Sequence, residues 1–154
     1  MARPRICLLA GLPGSGKSTW LERLGVTALS SDSTRALLID DPTNQAIHGR
    51  VFATLRYLLR HRLELRRPVT YIEATNLTRK DRRPYIKTAD LYDADVEVVF
   101  FDTPLEICME RNAARHRIVP GEAIRDMARK LRPPAFDEGF CRITVIEPAR
   151  RAVR

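Results

Sequence analysis

Cysteine is scarce in this chain: Cys7, Cys108 and Cys141 are all it has. Odd in number, far apart and set among apolar neighbours, they are expected to be reduced, buried thiols, and they argue against a disulfide-stapled scaffold or a zinc module. Long apolar runs are also missing. No stretch approaches the ~20 residues needed to span a bilayer, and the N-terminus lacks the apolar core of a signal peptide, so a cytoplasmic protein without membrane contact is expected. Internal repeats and low-complexity segments are absent too, which sets aside solenoids and fibrous arrays. Lysine is rare among the cations, with only Lys17, Lys80, Lys87 and Lys130 among 27 basic residues.

What the chain has in quantity is arginine, together with an alternation of short and long apolar segments. The formal charge is +8 over 154 residues, which favours a polyanionic partner, and arginine grips phosphate with a planar two-pronged fork. Hydrophobic residues make up 44% of the chain, enough for one core and one domain over residues 1–146, with a basic tail at 147–154 outside it. Apolar periodicity predicts strands near 5–10, 26–30, 68–73, 95–101 and 141–146, and helices over 17–24, 32–39, 44–66, 79–92, 104–115 and 120–131. Such alternation predicts an α/β fold, a central parallel sheet of about five strands with helices on both faces. In the longest helix Ile47, Val51, Phe52, Leu55, Leu58, Leu59, Leu63 and Leu65 recur mostly at three- and four-residue spacing and are expected to face the core. Thr78 and Asp81 have the spacing of a capping pair, which leaves Pro84 beyond the first turn, so that helix is expected to start later or to kink.

The run Gly11-Leu12-Pro13-Gly14-Ser15-Gly16-Lys17-Ser18-Thr19 lies between the first strand and the first helix, the context in which it is a phosphate-binding P-loop. Its glycines let backbone N–H groups curl around an anion, and the helix that follows adds its positive end. Gly14, Ser15 and Gly16 are expected to line this nest, Lys17 to reach the β- and γ-phosphates of ATP or another nucleoside triphosphate, Ser18 to ligate Mg2+, and Thr19 to approach the α-phosphate. A GTP-driven switch is excluded, since neither an Asp-x-x-Gly turn nor an Asn-Lys-x-Asp base-reading loop occurs. A motor or remodelling ATPase shares the loop, and two apolar strands end in an acid suited to orient magnesium, Glu73 and Asp102.

A phosphotransferase also needs an acceptor side. Ser30-Ser31-Asp32-Ser33-Thr34-Arg35 follows the second strand, at the carboxyl edge where ligands of open α/β sheets bind. There Asp32 can accept the proton of an attacking hydroxyl, and Arg35, one turn on, can hold an acceptor phosphate or the transferring group. Alternatively, Ser31 or Asp32 simply caps the helix that follows. Arg111 and Arg115 stand four residues apart, with Arg117 next, just ahead of Ile118-Val119-Pro120-Gly121. Such a segment closes over ATP as an arginine-bearing lid, or its cations merely complement a helix C-terminus, and His116 is expected to be a solvated lid residue.

The ordered set of Gly11 to Trp20, Asp32 with Arg35, Ala74-Thr75-Asn76-Leu77, Phe101-Asp102-Thr103-Pro104, and Arg111-Asn112 with Arg115, Val119 and Pro120 resembles the kinase domain of the 5′-hydroxyl polynucleotide kinases, enzymes of nucleic-acid end healing. The resemblance runs from about residue 5 to 140 and implies a P-loop kinase fold with a short arginine-bearing lid. It further implies transfer of the γ-phosphate of ATP, with Mg2+, to the 5′-hydroxyl end of DNA or RNA. Lys17, Asp32, Arg35 and Arg115 are then the residues that carry the chemistry, with Asp32 as general base, Arg35 against the acceptor's 3′-phosphate, and Arg111 and Arg115 over ATP. Thr75 and Asn76 flank the acceptor, and Val119 and Pro120 form an apolar lip beneath its terminal nucleotide. Glu73 stands where relatives often carry Asp. The stretch from Pro133 to Phe140 also resembles the end of related stand-alone kinases, and a kinase of a nucleoside, sugar or antibiotic hydroxyl is the alternative reading.

Overall fold

The computed structural model describes residues 2–115 and 119–148. His116, Arg117 and Ile118 of the expected lid, and residues 149–154 of the expected tail, lie outside the described residues.

Strand β1 (Arg5–Ala10) is buried along its whole length beyond Arg5, so it must be covered on both faces. It is hydrogen-bonded in parallel to β3 (Val69–Glu73) on one side and to β4 (Asp95–Phe101) on the other. With β2 (Leu29–Ser30) outside β3 and β5 (Arg142–Ile146) outside β4, the described residues form a five-stranded parallel sheet of order β2-β3-β1-β4-β5. Parallel strands require crossovers, and the helices supply them: α1 (Lys17–Leu24), α2 (Ser31–Ile39), α3 (His48–Glu64), α4 (Arg79–Leu91), α5 (Leu105–Ala113) and α6 (Gly121–Lys130).

Three apolar clusters hold the layers together. Ile6, Leu8 and Ala10 meet Leu59 and Leu63 of α3 and Tyr85 and Ala89 of α4 on one face. Cys7 and Leu9 meet Leu21 of α1, with Trp20 partly buried against them, on the other. At the carboxyl edge Leu12, Leu77 and Cys108 pack with Leu105, Met127 and Leu131, which seats α5 and α6 over the ends of the strands. Each such fully buried Leu or Ile contributes about 2–3 kcal/mol.

Several elements differ in extent from the sequence reading. Helix α3 begins at His48 rather than near residue 44, because Asp41 accepts from Thr43 N and Oγ1 and Asn44 Oδ1 accepts from Ala46 N, turns that compete with helix. Of its expected core face, Val51, Leu55, Leu59 and Leu63 are buried, whereas Leu58 and Leu65 are exposed. Helix α4 does not start later. It begins at Arg79 on a complete Thr78/Asp81 capping box and continues through Pro84, which has no N–H to offer the Lys80 carbonyl. Cys7 and Cys108 are buried, but Cys141, just before the outer strand β5, is exposed.

Candidate active site

The site is assembled where three parallel strands end side by side. Leu9 of β1 is in register with Glu73 of β3, and Glu73 with Ser30 of β2. The P-loop, an acidic strand end and the Ser30–Arg35 turn therefore emerge as neighbours.

In the loop, Gly14 has φ 79, and a Cβ there would lie 2.7 Å from the Cys108 carbonyl oxygen of α5, so the close approach demands glycine. Gly16, with φ 107, is the N-cap of α1. Ser15 is buried, and its carbonyl accepts from Thr103 Oγ1 at 2.9 Å, tying the loop to the end of β4. Lys17 Nζ donates to the carbonyls of Gly11 at 2.6 Å and Leu12 at 3.0 Å, so the ammonium is held by the loop's own oxygens. Burial lowers its pKa to about 8, although Glu73 and Asp32 lie near enough to pull it back up. Arg115 acts on the same ammonium in the opposite sense and lowers its pKa further.

Ser18 Oγ donates to Glu73 Oε1 at 2.5 Å. Asp102, the other acid considered for the metal, is exposed, and its backbone N–H is bonded to Ile146 O. The donor set suits Mg2+, since a hydroxyl and a carboxylate oxygen meet at the mouth of the phosphate loop. Among the described residues no group of three His, Cys, Asp or Glu is placed to hold a metal. An ion there would thus take most of its ligands from phosphate and water.

Ser30 caps α2, its side chain accepting from Ser33 N at 3.2 Å, so neither Ser31 nor Asp32 has the capping role. Asp32 is half exposed and Arg35 almost wholly buried, and Arg35 Nη1 lies 3.1 Å from Asp32 Oδ1. Arg35 thereby orients the carboxylate from below. Thr75 is half-buried and its carbonyl accepts from Gly11 N. Asn76 faces inward, with φ 46, and its side-chain amide donates to Leu9 O at 2.7 Å. Its amide is thereby engaged within the fold, where it shapes the 74–77 loop.

On the lid side, Arg111 Nη1 reaches Gly14 O at 3.4 Å. Helix α5 ends at Ala113, so Arg115 lies beyond it, its N–H bonded to Asn112 O. Val119 and Pro120 lead into α6, and Asn112 clamps Val119 through both edges of its amide, Nδ2 to Val119 O at 2.6 Å and Oδ1 from Val119 N at 3.0 Å. Spacing gave no sign of this clamp, because an asparagine that mimics a peptide group looks like any polar helix residue.

The family described as AAA domain matches residues 6–134. The chain belongs to this family, AAA_33. Over 136 residues it is 24% identical to the L-seryl-tRNA(Sec) kinase of Methanococcus maripaludis, spanning 84% of this chain and 53% of that protein. A chain of the Pnkp1/Rnl/Hen1 RNA repair complex superposes with a TM-score of 0.72 at 21% identity, over 85% of this chain and 45% of that one. A gluconokinase from Sinorhizobium meliloti 1021 superposes with a TM-score of 0.64 at 19% identity, over 97% and 86% respectively. The chain thus spans about half the length of the first two relatives, and its α/β architecture is the P-loop kinase fold.

Proposed function

We propose that this protein is an ATP-dependent kinase that transfers the γ-phosphate to the 5′-hydroxyl of a DNA or RNA end. The observation that carries the reading is Asp32: a half-exposed carboxylate, relieved of capping by Ser30, held by buried Arg35 and close to the P-loop lysine. A carboxylate so placed opposite the phosphate loop suits the activation of an attacking hydroxyl. The attacking hydroxyl oxygen bonds to the γ-phosphorus as the bond to the β–γ bridging oxygen breaks; ADP leaves with that electron pair, and the hydroxyl proton passes to Asp32. Lys17, Arg111 and Arg115 supply positive charge to offset what builds on the phosphoryl oxygens. Ser18, steadied by Glu73, would hold magnesium, which when bound neutralises the β- and γ-phosphates. The net charge of +8 supports a polyanionic acceptor.

A second reading, a small-molecule hydroxyl acceptor such as a sugar or nucleoside, draws support from the gluconokinase, whose fold the chain matches over nearly all of its length. The test is incubation with γ-labelled ATP, Mg2+ and DNA or RNA oligonucleotides bearing either 5′-hydroxyl or 5′-phosphate ends. Label confined to 5′-hydroxyl ends supports the lead reading. No labelled oligonucleotide, with steady transfer to a small acceptor, sinks it.

A further inference from the structure

One buried charge has no part in the chemistry above. Arg82, in the second turn of α4, is 0% exposed, and its partner Glu138 is 4% exposed. A small domain seldom buries an arginine without a use for all of its donors. Arg82 Nε and Nη2 donate to the two oxygens of Glu138 at 2.9 and 3.0 Å, while Nη1 donates to the Asn76 carbonyl at 2.9 Å. Glu138 also accepts from Ala135 N at 2.9 Å, which folds residues 135–138 onto the pair. Arg132 N bonds Leu77 O, so the same C-terminal segment touches the loop a second time.

The other end of this network is the phosphate loop. Asn76 stands in the left-handed region at φ 46, conserving through its side chain the bond to Leu9 O that the β1–β3 ladder no longer supplies past Glu73. One residue earlier, Thr75 O receives Gly11 N, the first amide of the P-loop. A single guanidinium therefore joins the segment 135–138, the loop 74–77 and the base of the P-loop.

We infer that Arg82 is a positioning residue, which with Glu138 fixes the 74–77 loop against the P-loop and so sets where an acceptor sits relative to the transferring phosphate. This rests on the kinase reading for its functional consequence, but not on the identity of the acceptor. Lysine cannot replace it, because an ammonium has no planar fork with which to meet Glu138 and Asn76 together. The donor side is anchored separately, by β1, α1 and the Thr103 bond to Ser15, and should be unaffected.

The test pairs Arg82→Met with Glu138→Leu, an apolar exchange that removes both charges and leaves neither uncompensated. In this variant KM for a 5′-hydroxyl oligonucleotide is expected to rise by about tenfold or more, since small misplacements of a substrate-positioning group cost up to ~100-fold, while affinity for a fluorescent ATP analogue is retained. Hydrogen exchange in a peptide covering residues 74–78 is expected to speed up, with the peptide covering 12–19, which leaves out the Gly11 amide held by Thr75, unchanged. Single Arg82→Lys, which keeps the charge, is expected to show the same split. If the folded double variant retains both the acceptor KM and the exchange rates, or loses ATP and acceptor affinity in equal proportion, the inference is overturned; Arg82→Lys decides in the same way if the double variant does not fold. A wild-type chain that labels no oligonucleotide refutes the proposed acceptor instead, and the exchange comparison still decides the role of Arg82.

Discussion

Replacing Lys17 by methionine is expected to abolish phosphoryl transfer and at the same time to change the pH dependence of stability in a calculable way. Burial lowers the pKa of Lys17 from 10.5 to about 8 in the folded chain. The unfolded chain therefore binds the proton more tightly, and the folded state becomes more stable as pH rises through the interval from about 8 to 10.5. At about pH 7 both states are protonated, and the buried ammonium costs about 3 kcal/mol; at about pH 10 the folded lysine is neutral and the cost is about 1 kcal/mol. The methionine variant lacks this term at every pH. It also loses the bonds to the Gly11 and Leu12 carbonyls, a loss of about 1–3 kcal/mol that can offset the gain at neutral pH. Comparing variant and wild type at two pH values cancels that loss and any titration the two proteins share. The variant's stability relative to wild type should therefore fall by about 2 kcal/mol between pH ~7 and ~10, read by urea unfolding without nucleotide. A difference that stays constant with pH, or grows, would refute the assignment of Lys17 as a buried, desolvated ammonium.

Asp32→Asn keeps an oxygen for Arg35 but removes the base, so turnover should fall by about 10²–10⁴-fold with ATP affinity little changed. A smaller fall, or loss of ATP binding in parallel, would show that the carboxylate serves the fold or the donor instead. Glu73→Gln should raise the Mg2+ concentration needed for half-maximal activity by about tenfold or more, and Asp102→Asn should not; the reverse outcome would move the metal to the other side of β1. Gly14→Ala places a Cβ 2.7 Å from the Cys108 carbonyl at φ 79, at a cost of about 2–4 kcal/mol. Its Tm should drop by roughly 5–15 °C, and an unchanged Tm would mean that α5 can yield.

The donor half of the site was legible in the sequence because it is local. Glycines, Lys17 and Ser18 occupy fixed offsets between one strand and one helix, and short-range backbone geometry does the rest. The alternation of segments likewise gave the parallel sheet with helices on both faces, since each type of element must bury its own apolar pattern.

The remainder of the candidate site depends on tertiary structure. Glu73 and Asp102 both end apolar strands and look alike in sequence, and only the bond from Ser18 distinguishes them. Asp32 and Ser31 were both plausible caps until Ser30 took that position, and Asn76 turned inward because Leu9 needed a partner where the ladder stopped. Arg82 gave no signal at all, as an arginine in a helix reads as solvated until the residue 56 positions later folds back upon it. The physical reason is the same in each case. A motif within one turn of chain is specified by its own dihedral preferences, whereas a carboxylate or guanidinium acquires its role from strand order and register, which bring together residues that the sequence keeps far apart.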